Sequence, residues 1–144
     1  MNYIKKNLLD DEKIVFETKL NWSEYLTSVV LVLLGIIICQ FSFDFGILVI
    51  LIGVFLIVTD YFKIQGSEFA VTNKRVLMKK GIFTTKSSEI SLSKIEGIEI
   101  NENFFDKLAG SGTVIVKGTG STTNKFSNID APNAFKKAIT DNIQ

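Results

Sequence analysis

Polar positions nearly vanish between Leu26 and Thr59, where Asp44 is the single charged residue. The run is interrupted at "SFDFG" (Ser42–Gly46), which separates "YLTSVVLVLLGIIICQFSF" from "FGILVILIGVFLIVTDYF". Each half, rising about 1.5 Å per residue as a helix, is long enough for the ~30 Å hydrocarbon layer of a bilayer. One straight helix over both halves would place Asp44 near mid-bilayer, at a cost of about 2.5–3.5 kcal/mol. A hairpin moves it to the far interface, and Ser, Asp and Gly are turn formers. The pattern therefore predicts a transmembrane helical hairpin over residues 25–62, centred near Phe43 and Asp44. In that register Gly35 falls opposite Ile52 and Gly53, letting the two backbones approach closely. Trp22, Tyr25 and Tyr61 stand at the other end of the hairpin, as interfacial aromatics do.

After Phe62 the period changes to short runs of β-branched and aromatic residues between turn signals. "SEFAVT", "RVLMKK", "SEISL", "IEGIEI" and "TVIVKG" read as strands, and "KFSNI" as a further one. Asn73-Lys74 predicts a tight hairpin turn, while "GSG" (110–112) and "GTGSTTN" (118–124) predict loops. "DAPNAFKKAITDNI" predicts an amphipathic helix, with Asp130 as its cap, Pro132 in the first turn and Phe135, Ala138 and Ile139 on one face. Upstream, "KIVFETKLNW" (Lys13–Trp22) also reads as a strand. The residues leave open whether it joins the later sheet, which would make the hairpin an insertion in the domain's first loop. The expected class is α+β: a helical hairpin plus a bent antiparallel sheet or barrel closed by a C-terminal helix. Its parts are an N-terminal segment (1–24), the hairpin (25–62) and a sheet domain (63–144).

Charge changes this picture only in detail. The net charge is +1, and residues 63–144 carry twelve Lys or Arg against eight acids, too mild an excess to argue for nucleic acid. Lys13 and Lys19 precede the apolar run, and Lys63, Lys74, Arg75, Lys79 and Lys80 follow it, whereas the far loop has no basic residue. The positive-inside bias then puts both termini in the cytoplasm, for a multi-pass membrane protein. A lone Cys39 allows no disulfide or thiolate cluster within one chain, and the absence of histidine removes the commonest general base and metal ligand. Asp10, Asp11 and Glu12 lack calcium-loop spacing, and "KGTG" lacks the order of a phosphate loop. No catalytic residue, cofactor, metal or small-molecule substrate is expected.

The stretch "FAVTNKRVLMKKGIFTTKSSEISLSKIEGIEINENFFDKLAGSGTVIVKGTG" (Phe69–Gly120) resembles the bacterial pleckstrin-homology (PH) domain of YdbS-like membrane proteins. The likeness lies in Phe-x-Val-Thr-Asn-x-Arg (Phe69–Arg75), the Gly81-Ile82 pair after basic residues, "ISLSKIEGIEI" and Leu-x-Gly-x-Gly-Thr-Val (Leu108–Val114). The upstream "DDEKI" and "NW" before two spans are similar as well. Relatives often carry His-Trp where this chain has Asn21-Trp22, so no role of that histidine is carried over. The resemblance implies a PH-like fold, a seven-stranded bent sheet closed by a C-terminal helix, and little about activity, because fold is not function.

By analogy with eukaryotic PH domains, which often hold phosphoinositide head groups on early basic loops, Lys74, Arg75, Lys79, Lys80 and Lys86 are candidate contacts to anionic lipid. The bland alternative is a solvated face. "ENFFDKL" (Glu102–Leu108) places Phe104 and Phe105 in a loop or short helical turn, one expected in the core and the other a candidate partner contact. The sequence thus predicts a non-enzymatic membrane protein whose partners are lipids, other membrane proteins or further copies of itself. The alternative is a small subunit of an oligomeric channel or transporter.

Overall fold

The computed structural model describes residues 3–143. A short helix α1 (Tyr3–Lys6) and strand β1 (Ile14–Thr18) precede two long helices, α2 (Tyr25–Cys39) and α3 (Phe43–Gln65). Strands β2 (Glu68–Thr72), β3 (Arg75–Lys80), β4 (Lys86–Ser91) and β5 (Ile95–Asn101) follow. Then come a six-residue helix α4 (Phe104–Ala109), strands β6 (Ser111–Gly118) and β7 (Thr123–Asp130), and helix α5 (Pro132–Ile143).

The strands form two antiparallel sheets, ordered β1-β2-β3-β4 and β5-β6-β7. The expectation was a bent antiparallel sheet or barrel; the strands form two sheets, without closure into a barrel. The sheets are joined at one edge where the chain beyond β1 crosses over to β7: Asp130 N–H donates to Lys19 O at 3.0 Å and Asn21 N–H to Asn128 O at 2.9 Å. A bridge between Leu20 and Ile129 lies between those bonds. On the other side the chain runs from β4 into β5 through a short 3-10 turn at Leu92–Lys94. Because β1 pairs with β2, the long helices are an insertion between two neighbouring strands of one sheet.

Alternation along the strands aims Phe69 and Val71, Val76, Val114 and Val116, and Phe126 into one interior with Leu20, Ile90, Leu92 and Ile129. Helix α5 covers the open face, inserting Phe135 and Ile139. Phe126 and Phe135 meet with ring centroids 5.6 Å apart, and Phe69 reaches Phe126 at 6.2 Å. Pro132 takes the first helical position as expected, but the residue before it is Ala131, whose carbonyl accepts the Phe135 N–H at 3.1 Å. Asp130 is therefore not the cap. It ends β7, and its carboxylate accepts from Asn21.

Strand β2 is buried throughout because its outer face is covered too. Ile4 of α1 packs on Ala70 and Leu77 there, and Glu68 accepts the Ile4 N–H at 3.0 Å. Thr72 donates to Glu12 at 2.7 Å.

The chain reverses at Gln40–Ser42, slightly before the expected centre, and Asp44 sits exposed in the first turn of α3. A carboxylate there is favoured by the positive end of the helix dipole. The shift changes the register between α2 and α3. Gly46 meets Cys39, Gly35 meets Ile50 and Gly53 meets Val32, in place of the predicted approach of Gly35 to Ile52 and Gly53. Gly46, Gly53 and Asp60 are the buried residues of α3, spaced by seven, the repeat of a left-handed helix pair. A Cβ on Gly46 would lie 2.5 Å from the Cys39 backbone nitrogen, so close contact of the helices requires glycine there. Helix α3 also continues three residues beyond Phe62.

The continuous helical stretch Trp22–Cys39 and α3 are 18 and 23 residues long, apolar enough to cross a membrane, and only 11% and 17% buried. Most of their large side chains, such as Leu33, Ile37, Leu51 and Phe55, face outward.

Candidate functional site

The base of the hairpin, where α2 begins and α3 ends, is held together by polar groups. Ser28 donates to Asp60 at 2.5 Å, and Lys63 donates to the other Asp60 oxygen at 3.0 Å. Lys63 also lies 3.6 Å from Glu24. The buried Asp60 carboxylate is thus partnered on both oxygens, and the two helices are pinned where they join the sheets.

The predicted basic group divides into two. Strand β2 runs away from the end of α3, turns at Asn73-Lys74, and β3 returns. Lys74 and Arg75 therefore sit at the far end of the domain. Lys79, Lys80 and Lys86 lie about 13–17 Å back from Arg75 along the strands, at roughly 3.3 Å per residue. The tip between β3 and β4 rests on the end of α3. Phe83 stands edge-on to Phe62 with centroids 5.9 Å apart, and Ile82 packs so tightly on Gly66 that a Cβ there would clash.

Arg75 is committed to structural pairing. Its Nε and Nη2 donate to the two oxygens of Glu12, each at 3.0 Å, Nη2 also donates to Asn7 O at 2.8 Å, and Nη1 donates to Glu89. Glu12 accepts as well from the Leu9 N–H at 2.8 Å and from the Thr72 hydroxyl. Burial alone would push the Glu12 carboxyl up, but the Arg75, Leu9 and Thr72 hydrogen bonds outweigh it and hold the group down, from 4.5 to about 2. Lys74 donates to Asp10 O at 3.0 Å, tying the far turn to the same N-terminal segment.

The remaining three lysines are differently placed. Lys79 lies over the Tyr3 ring, its Nζ 5.0 Å from the centroid. Lys80 and Lys86 are directly opposed across the β3–β4 ladder. Like charges in that relation repel. Among the described residues neither is in an ion pair with a carboxylate. The tip therefore concentrates positive charge beside two exposed apolar residues, Ile82 and Phe83.

On the other side of the hairpin base lies α4. Phe104 and Phe105 are 71% and 69% exposed, so neither is the core residue that the sequence led us to expect. Leu108, equally exposed, extends their face by one turn and was not singled out from the sequence. Its spacing of three and four from the phenylalanines was the available signal. Asn21 is another residue whose importance the sequence hid. It is buried, donates to Ala109 O at 3.1 Å and to Asp130 Oδ1 at 2.6 Å, and accepts from Ser23 N–H at 2.9 Å. It joins the entry to α2, the end of α4 and the end of β7.

Among the described residues no group of His, Cys, Asp and Glu is arranged to hold a metal ion. The cavities of the domain are shallow. One of about 270 Å³ lies at the far end between Arg75, Lys94, Gly118 and Thr122, and one of about 360 Å³ lies under α1 beside Tyr3 and Leu77.

No curated protein and no solved structure matches the chain. A family model described as "Bacterial PH domain" matches residues 20–143, from the crossover before α2 through α5. The match covers most of the chain, the long helices included, and agrees with the mixed helix and antiparallel-sheet architecture. By that match the chain belongs to the bacterial PH-domain family.

Proposed function

We propose that the chain is a non-enzymatic, YdbS-like membrane protein of the bacterial cytoplasmic membrane. Helices α2 and α3 cross the bilayer, and the PH-like domain lies against the anionic inner leaflet, where it is presented for assembly with membrane proteins or with further copies of itself. The observation that carries the reading is the position of the β3–β4 tip. Lys80 and Lys86, opposed and without a carboxylate partner among the described residues, are set beside the end of α3. A surface of acidic phospholipid, such as phosphatidylglycerol or cardiolipin, relieves that repulsion at about 1 kcal/mol per basic residue. Because the helices already tether the domain, these contacts orient it rather than recruit it. Asp60, engaged by Ser28 and Lys63, supports an anchoring hairpin over an ion-conducting one.

The test uses the full chain reconstituted in neutral and in phosphatidylglycerol-containing vesicles, read by amide hydrogen exchange over residues 79–87. Acidic lipid is expected to slow exchange there in the wild type and in Lys74→Gln, but not in Lys79→Gln/Lys80→Gln/Lys86→Gln. Identical exchange in the two lipids would contradict the orienting role.

A further inference from the structure

We infer that α4 is a second, apolar foot of the domain. It lies in the interfacial layer of the same leaflet, with Phe104, Phe105 and Leu108 among the lipid chains just below the head groups. This rests on the reading that α2 and α3 span the bilayer.

Phe105, Asn103 and Asp106 share a groove of about 670 Å³ with Leu26, Val30 and Leu31 of α2. Leu31 is six residues into α2, about 9 Å along its axis from Tyr25. If α2 enters the bilayer at Trp22 and Tyr25, the flank of α4 stands beside chain already inside it. Helices lying in the interface bury their apolar face to about 5–10 Å, the same depth.

Six residues do not make a stable helix unaided, and α4 is fixed at both ends. Asn103 Oδ1 accepts the Asp106 N–H at 2.9 Å, and Asp106 Oδ2 accepts the Asn103 N–H at 3.0 Å. Gly110 closes the other end in the left-handed conformation at φ 71°. This double capping holds three large apolar side chains outward, where water would penalise them. It also engages the one acid of the helix, Asp106, which accepts from the Asn103 N–H and the Ser111 hydroxyl, so that its carboxylate is hydrogen-bonded within the protein. Lys107 remains exposed on the same helix, suited to reach up to phosphate while its stem stays in the apolar layer.

The hairpin base has the Ile82–Phe83 tip on the α3 side and α4 on the α2 side, so the domain rests on a basic foot and an apolar foot. The surface that α4 meets is the bilayer, not a protein partner.

Trp22 is the only tryptophan, which makes fluorescence direct. In a Trp22→Phe background, Phe105→Trp and Val30→Trp are compared in vesicles containing lipids brominated along the acyl chain, and separately with aqueous acrylamide. The inference expects both probes to emit in the blue and to lose most of their intensity to brominated lipid. Lipid quenching of Val30→Trp with acrylamide quenching of Phe105→Trp would overturn the inference while the spanning helices stand. A Phe105→Trp probe shielded from both quenchers would place protein over α4 and also overturn it. Acrylamide quenching of both probes, with no lipid effect, would remove the spanning helices as well.

Discussion

Arg75 on β3 grips Glu12, 63 residues earlier in the chain, through two parallel hydrogen bonds of 3.0 Å. That clamp fastens the segment before β1 to the far end of the sheet, and Glu12 is buried within it. Removing Glu12 takes away the buried, two-point partner of Arg75 and leaves, among the described residues, only the exposed Glu89 as a carboxylate partner, which costs more than the pair itself contributes.

Glu12→Gln is therefore expected to lower unfolding free energy by about 3 kcal/mol, measured by denaturant titration in mild detergent. The pH dependence has a definite sign. The folded carboxyl, at about 2, titrates below its ordinary 4.5, so the native state binds this proton less readily than the unfolded chain. The stabilisation is complete above pH 4.5 and is lost as pH falls toward 2. Wild type should lose stability across that window, and Glu12→Gln should show a flatter profile. Equal slopes would contradict the clamp.

Asn21→Ala removes three side-chain hydrogen bonds at the junction of α2, α4 and β7, and leaves Asp130 and Ala109 O without that partner. A loss of about 1–3 kcal/mol in thermal or denaturant unfolding is expected. Trp22→Phe, altering the exposed neighbour, should stay within about 0.5 kcal/mol of wild type.

Glycine substitutions test the hairpin seam. Gly46→Val should separate the helices, because the added Cβ falls on Cys39 backbone atoms; a destabilisation of about 1–3 kcal/mol is expected. At Gly97 a Cβ meets nothing within 4 Å, so Gly97→Ala is the tolerated control. Equal thermal stability of the two variants would refute the close packing of α2 on α3.

Elements were legible in the sequence wherever a local rule dictated them. The Asn73-Lys74 turn, the alternation of Ile98 and Ile100 around Glu99, and Pro132 opening α5 each follow from neighbouring residues. Long-range partnership was not legible. Arg75 read as a free cation because Glu12 is remote in the chain, and Asn21 read as a departure from His-Trp because its partners lie at 109 and 130. "SFDFG" suggested a turn by composition, yet Gly46 is needed against Cys39 and so belongs to the helix, which moves the reversal to Gln40–Ser42. Burial of one α4 phenylalanine was expected from a rule that holds in water; both are exposed, which is what the proposed contact of α4 with lipid requires.

Two cysteine positions test the whole account most directly. With Cys39 replaced by Ser, a cysteine at Asp44 and another at Gly120 are exposed separately to a membrane-impermeant thiol reagent on intact cells. The account predicts labelling at 44, in the first turn of α3, and protection at 120 until the membrane is permeabilised. Labelling at 120 with protection at 44, or equal labelling of both, would contradict it.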